Sequence, residues 1–352
     1  ASLLFATPLS GSYTVGSTGT YKTISEALDS LQANGISGSV VLLLQAQSFS
    51  EQIEIKAISG ASVSKTITIK GQGDSTKIVY AATSTNQPII NVNGAKHIII
   101  DSVLIESTGN YGNGINFMNA ADSNTVRHCH IVMANSSASY GSAGISNFST
   151  LSGSGDAYIK NLNVHDNTVV AGSFGIRLTN TGTSPNYFAI DHNSVTDFGV
   201  IGIQVSGCID SDITNNSVYS GESTAKSALS MWPTAPSGRI VANTFDLASN
   251  ENHTRVLQLA NAPGGGGSSW SERILVANNF VSYHGTYNGN MTGIYTKHVN
   301  YLSVHNNTVF MDSATGSKCL WFDALNSTGN IESKNNNLVN VITNGHTLFV
   351  HG

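Results

Sequence analysis

The hexapeptide Val304-His305-Asn306-Asn307-Thr308-Val309 recurs as near-copies through most of the chain, and it restricts the fold more than any other feature. Close copies are Val164-His165-Asp166-Asn167-Thr168-Val169, Ile190-Asp191-His192-Asn193-Ser194-Val195 and Ile213-Thr214-Asn215-Asn216-Ser217-Val218. Aligned on the pivotal asparagine, the copies fall at Asn167, Asn193, Asn216, Asn243, Asn278, Asn307 and Asn336, with gaps of 26, 23, 27, 35, 29 and 29 residues. The same frame upstream places Asp101 and Cys129 at the equivalent position. Self-similarity at a period of roughly 20–50 residues marks a stacked repeat architecture. Each unit is a short β-branched run, a polar break and another short apolar run, which is period-two material without a helical stripe. Asparagine tolerates left-handed backbone angles and suits a tight bend. Stacked bend over bend, its amide can bond the next coil and satisfy groups that would otherwise be orphaned inside. The expected fold is all-β, a right-handed parallel β-helix (a solenoid) with an internal asparagine ladder.

A second row supports this assignment. Between the asparagines runs a small residue, an apolar one, a variable one and usually another apolar one, as in Gly175-Ile176-Arg177-Leu178 and Gly202-Ile203-Gln204-Val205. Strand alternation turns the second and fourth residues inward and the third outward. The outward row then reads Asn116, Ser146, Arg177, Gln204, Ser230, Gln258, Tyr295, Trp321 and Phe349. The next outward row reads Met118, Phe148, Thr179, Ser206, Trp232, Ala260, Lys297, Asp323 and His351.

Composition excludes several function classes. Charged residues make up 11% of the 352 residues, against about a quarter in an average soluble domain. Net charge is −5 with scattered signs, so no basic stripe addresses nucleic acid. No apolar run is long enough to read as a membrane span. The three cysteines, Cys129, Cys208 and Cys319, sit in distant repeats and read as buried thiols. Residues 1–8 lack the basic segment of a signal peptide.

In chain order, residues 1–60 read as a lead-in, a capping helix over 23–33 and first strands, and 61–352 as stacked coils of one domain. Thr23 and Glu26 form a capping box, with Ile24, Ala27, Leu28 and Leu31 on one face and Asn34-Gly35 at the end. Strands are expected at 40–44, 52–55, 66–70, 77–80 and 89–92. Tyr140–Asp156 and Asn261–Ser271 read as loops, and the tetraglycine in the second lacks the Lys-Ser/Thr of a phosphate loop. The last repeat has no polar cap, so the chain is expected to belong to a longer one or to meet a neighbouring subunit.

The opening stretch carries a family likeness. Tyr21-Lys-Thr-Ile-Ser-Glu-Ala-Leu28, Gly38–Leu44, Glu51-Gln-Ile-Glu-Ile55 and Ile67-Thr-Ile-Lys-Gly-Gln-Gly73 resemble the start of the pectin-lyase-like β-helix superfamily. With Gly11-Ser-Tyr-Thr-Val-Gly16, these roughly 75 residues are more similar still to β-helix modules of large surface proteins that Bacteroidetes export by the type IX system. The resemblance implies a secreted, cell-surface location. It also implies that enzymes of this fold work on acidic polysaccharide in a groove along one outward face.

No familiar catalytic set emerges from the residues. Asp210 and Asp212 are a close carboxylate pair, and they read as a solvated turn entering a strand. His128 and His130 point outward while Cys129 points inward, which splits any metal set, so no metal is expected and nothing points to calcium or another cofactor. His165, His192 and His305 read as residues stacking at the bend. Arg177 lies about 19 Å from Tyr295 at ~4.8 Å per coil, too far to share a reacting carbon. Aromatic residues gather at Trp232, Tyr295 and Trp321, beside Lys297 and Asp323, as a candidate surface for sugar rings or a protein partner. The expected function is a non-catalytic adhesive or fibre-forming module contacting a surface glycan or neighbouring modules. One alternative is a polysaccharide lyase using Tyr295, Lys297 and His351. A carbohydrate-binding module is the other.

Overall fold

The structure is a computed structural model describing residues 7–83, 87–134, 142–148, 158–180, 187–208, 210–232, 237–260, 273–285, 289, 291–312, 315–323, 330–342 and 344–351. Its described strands stack in parallel into a 21-stranded sheet and an 11-stranded sheet, here the first and second. The second sheet takes one strand from each successive turn, from Ile53–Lys56 to His346–His351. In the repeats the first sheet takes two short strands per turn, such as Leu162–His165 and Thr168–Val170, on either side of the asparagine bend. The chain is a parallel β-helix, and one continuous apolar core runs inside it from Val15 to Phe322.

The bend divides its two demands between two neighbouring residues. The left-handed angle belongs to the residue before the pivotal asparagine: His128, Asp166, His192, Asn215, Ala242, Asn278, Asn306 and Asn335 all have φ of 51–59°. The following residue turns inward and bonds. From Asn193 to Asn336 each ladder Oδ1 accepts from both the backbone N–H and the side-chain Nδ2 of the preceding coil's asparagine. The Nδ2 links are Asn167 to Asn193 at 2.9 Å, Asn193 to Asn216 at 3.0 Å and Asn216 to Asn243 at 3.0 Å. The file continues through Asn279 at 3.0 Å, Asn307 at 2.9 Å and Asn336 at 2.9 Å. Asn279 therefore holds the place expected for Asn278, which is the exposed left-handed residue before it. In an Asn-Asn pair the motif alone does not say which amide turns in. Cys129 does sit in this file, its N–H donating to Asn167 Oδ1 at 3.0 Å. Asp101 does not: Ser102 takes the left-handed angle, and the buried Val103 follows it inward.

The small-residue row has a steric cause. A Cβ on Gly175 would lie 2.2 Å from Val195 Cγ1, and one on Gly202 would lie 2.4 Å from Val218 Cγ1. These glycines occupy an inward bend of the second sheet, where the ladder pairing skips them: Phe174 pairs with Ile201 and Ile176 with Ile203. The bend puts two consecutive residues inside and slips the alternation by one on its N-terminal side.

The helix spans Ile24–Asn34, with Thr23 as N-cap and Gly35 at its end (φ 68°). Ile24, Ala27, Leu28 and Leu31 bury into the first coils. The expected lead-in is itself ladder structure, since Leu9–Val15 pairs in parallel with Ile36–Leu44. The strands expected at 66–70 and 77–80 are one 14-residue strand, Ile67–Tyr80, with two register shifts. Within the expected loop at 140–156, Ala143–Ser146 is a strand of the second sheet. The remainder of that loop, apart from 142, 147 and 148, and all of 261–271 lie outside the described residues. No described helix is long and apolar enough to cross a membrane.

Candidate functional site

The second sheet presents the outward row expected from alternation. Register pairs Arg177 with Gln204, Gln204 with Ser230, Ser230 with Gln258, Gln258 with Tyr295, Tyr295 with Trp321 and Trp321 with Phe349. On the neighbouring row Lys297 pairs with Asp323 and Asp323 with His351. Tyr295 and Trp321 meet edge to face with centroids 4.9 Å apart, and Trp321 and Phe349 meet at 5.7 Å. Trp232 precedes them by two coils and is 46% exposed.

Two cations missed in the sequence complete the stack. The Arg255 guanidinium lies 3.9 Å from the Tyr295 ring centroid, and Lys318 Nζ lies 4.7 Å from that of Trp321 and 5.0 Å from that of Phe349. Both precede the inward bend, held in these coils by Val256 and Cys319, where strict alternation turns the wrong side out, so only the slipped register reveals them. Burial lowers the proton affinity of Lys318. Arg255 and the edge of Trp321 cover Tyr295, which is 2% exposed although it projects from the outer face. The expectation of an exposed Tyr295 ring is corrected accordingly.

Tyr295 donates to Asp323 Oδ2 at 3.0 Å, and burial pushes its hydroxyl up to about 12. Near neutral pH it is a bound donor, poorly suited to abstract a proton. His351 Nδ1 stands 3.5 Å from Asp323 Oδ1, outside good hydrogen-bond range. Trp321 Nε1 and Asp323 Oδ1 are buried without hydrogen-bond partners among the described residues. Beside this cluster opens a cleft of about 280 Å³, walled by Trp232, Arg255, Gln258, Tyr295, Lys297 and His298. Trp232 Nε1 is tied to Ser230 Oγ at 2.9 Å, which fixes the indole in that wall.

Other candidates resolve differently. Asp212 lies within the strand Asp210–Thr214, and Arg239 forks onto its two oxygens at 2.7 and 2.5 Å. Tyr187 also donates to Asp212, at 3.0 Å. The expected solvated turn is thus an ordered ion pair on the first sheet, since strand pairing sets Asp212 beside Arg239 across 27 residues. The bend histidines pair mainly with carboxylates: His165 with Asp166 at 2.7 Å, His192 with Asp191 at 2.6 Å and His305 with Glu332 at 3.3 Å. All three cysteines are buried and none is in a disulfide, and burial pushes the Cys129 thiol up to about 12. Among the described residues no group of three or more His, Cys, Asp or Glu is placed to hold a metal ion.

No family model and no curated protein matches the sequence. Among solved structures, the Streptococcus pneumoniae surface protein and adhesin PfbA is similar at TM-score 0.55 and 12% identity, over 94% of this chain and 95% of that one. A GH136 lacto-N-biosidase from Eubacterium ramulus is similar at TM-score 0.53 and 10% identity, over 94% of this chain and 68% of that one. At these identities the likeness establishes the parallel β-helix fold alone.

Proposed function

We propose that this chain is a non-catalytic, glycan-contacting β-helix module of a secreted cell-surface protein, of the kind that Bacteroidetes export by the type IX system. It binds sugar in the cleft between Trp232 and Lys297. The observation that carries this reading is the indole of Trp232, exposed, fixed by Ser230 and standing over a cleft whose other walls bring Arg255 and Lys297. A flat apolar ring with polar groups around it suits one face of a sugar and its hydroxyls. Tyr295, Trp321 and Asp323 position this wall: the aromatic stack supports Arg255, and Asp323 holds the Tyr295 hydroxyl. The likeness in fold to a surface adhesin is compatible with the location, and that of a lacto-N-biosidase with a sugar as ligand. The tied-up Tyr295 hydroxyl disfavours a lyase built on Tyr295, Lys297 and His351.

A glycan array followed by calorimetry on the best hit tests the reading. Trp232→Ala is expected to weaken binding by about 0.5–1.5 kcal/mol, the scale of one aromatic stacking contact, with unchanged thermal stability. Binding that survives both Trp232→Ala and Lys297→Ala removes the cleft from consideration. Formation of unsaturated sugars from acidic polysaccharide, lost in Lys297→Ala, replaces the binding module with a lyase.

A further inference from the structure

The first sheet is hollowed on its outer side as well. One cleft of about 310 Å³ is lined by residues including Thr66, Ile99, Thr125, Asn161 and Asn163. Another, of about 360 Å³, is lined by residues including Tyr187, Asp210, Asp212, Arg239 and Arg273. Strand register shows that the two share a floor. Ile99, Thr125, Asn163, Ala189, Asp212 and Arg239 pair in succession, one per coil, as a single outward row. Only Ala189 separates the clefts along this row, and its methyl group leaves the path low. At ~4.8 Å per coil the row runs about 24 Å parallel to the solenoid axis.

We propose that this row is the floor of a second binding groove, which takes a linear, uncharged polysaccharide lying along the axis. The lining is balanced in charge: Asp210 and Asp212 face Arg239 and Arg273, so a polyanion gains nothing from the groove as a whole. The Trp232 cleft differs, because its walls carry Arg255 and Lys297 and no carboxylate. Tyr187 supplies a platform, the residue 36% exposed and its hydroxyl anchored on Asp212. The Arg239 fork holds Asp212 rigid, while the unused lone pairs and N–H groups of the pair remain for sugar hydroxyls. At the other end Thr125, Asn161 and Asn163 provide hydroxyl and amide groups able both to donate and to accept. A peptide is the poorer occupant. The strands under the groove pair on both edges, so no free backbone row is available for strand addition.

Calorimetry of the full chain with linear neutral hexasaccharides, of β-1,4-linked glucose, mannose and xylose and of β-1,3-linked glucose, tests this. At least one is expected to bind, with an affinity that a roughly tenfold rise in salt leaves within about twofold, as befits an uncharged ligand. Ala189→Ile, which raises a rigid side chain in the path and suits a strand, should weaken that binding by at least about tenfold. Tyr187→Ala should do the same, and both losses should be as large in a Trp232→Ala background, which removes any sugar bound in the other cleft; thermal melting confirms that each variant is folded. The proposal is overturned if none of the four binds, if only acidic sugars or peptides bind, or if Ala189→Ile and Tyr187→Ala bind as the parent does. Because the Trp232→Ala background isolates the groove from the other cleft, either proposal can fail without the other.

Discussion

Asn216 shows how one side chain joins three coils. Its Nδ2 donates to Ile190 O at 2.8 Å and to Asn243 Oδ1 at 3.0 Å, while its Oδ1 accepts from the N–H and Nδ2 of Asn193. Asn216→Ala takes the side-chain acceptor from the buried Asn193 N–H and one partner each from the Asn193 amide and Ile190 O, and should cost about 1–3 kcal/mol in urea unfolding. The variant Asn215→Ala, at the exposed residue beside it, should cost less than about 1 kcal/mol, since only a left-handed preference and a surface bond are lost. Asp212 gives a pH prediction. The Arg239 fork holds its carboxyl below the usual aspartate range. A depressed folded-state value adds stability above the unfolded aspartate pKa of about 4, and that stability is lost as pH falls through the folded value. In Arg239→Gln the melting temperature should therefore drop relative to the parent at neutral pH, and the difference should shrink in melts carried out at progressively more acid pH. A difference that grows toward acid pH contradicts this assignment.

At the scale of the element, the helix Ile24–Asn34 depends on a residue the local sequence does not reveal. Thr23 caps it as the capping box requires, Glu26 N–H donating to Thr23 Oγ1 at 3.0 Å, although Glu26 returns its own bond to Lys22 N–H at 2.7 Å. Glu51, from the next coil, accepts from Ile24 N–H and Ser25 N–H at 3.0 Å each and from Ser25 Oγ at 2.7 Å. A carboxylate on free N–H groups at the positive end of a helix is favourable on two counts. Glu51→Ala should lower stability by about 1–2 kcal/mol, comparable with loss of a cap, and circular dichroism should show whether the helical signal melts first. The same lesson holds for the strands of the second sheet. A reader of alternation places Tyr295, Trp321 and Lys297 on the outer face, but the inward slip at the bend hides Arg255 and Lys318.

For the whole molecule, coil-on-coil stacking makes stability a sum of neighbour terms along one axis. Val195, Ile213, Val218 and Ile240, in central coils, are fully buried, whereas Leu348 is 51% exposed and Val350 62% exposed in the strand His346–His351. Hydrogen exchange on this chain should accordingly be slowest through roughly 190–245 and faster by orders of magnitude in 331–351. Uniform protection along the axis would show instead that the coils open as one cooperative unit. The two proposed grooves lie on different sheets, so a module of this kind could hold two dissimilar glycans at once, one cationic cleft and one balanced groove.

By itself the sequence determined the architecture, because a bend, a β-branched run and an inward amide repeat often enough that only a stacked parallel coil satisfies them all. It also determined the outward rows C-terminal to the bend, since alternation is a local property of a strand. Four matters waited for the tertiary structure. Which residue of Asn278-Asn279 joins the ladder depends on where the left-handed angle falls. Whether Tyr295 is exposed depends on the Arg255 guanidinium that reaches it from the preceding coil. Asp212 becomes an ordered ion pair only when coiling sets it beside Arg239, and Ala189 becomes the middle of a groove only when register aligns two distant clefts. Each of these is a contact between coils, set by the lateral pairing of strands some 25 residues apart, and no local pattern records which side chains that pairing brings face to face.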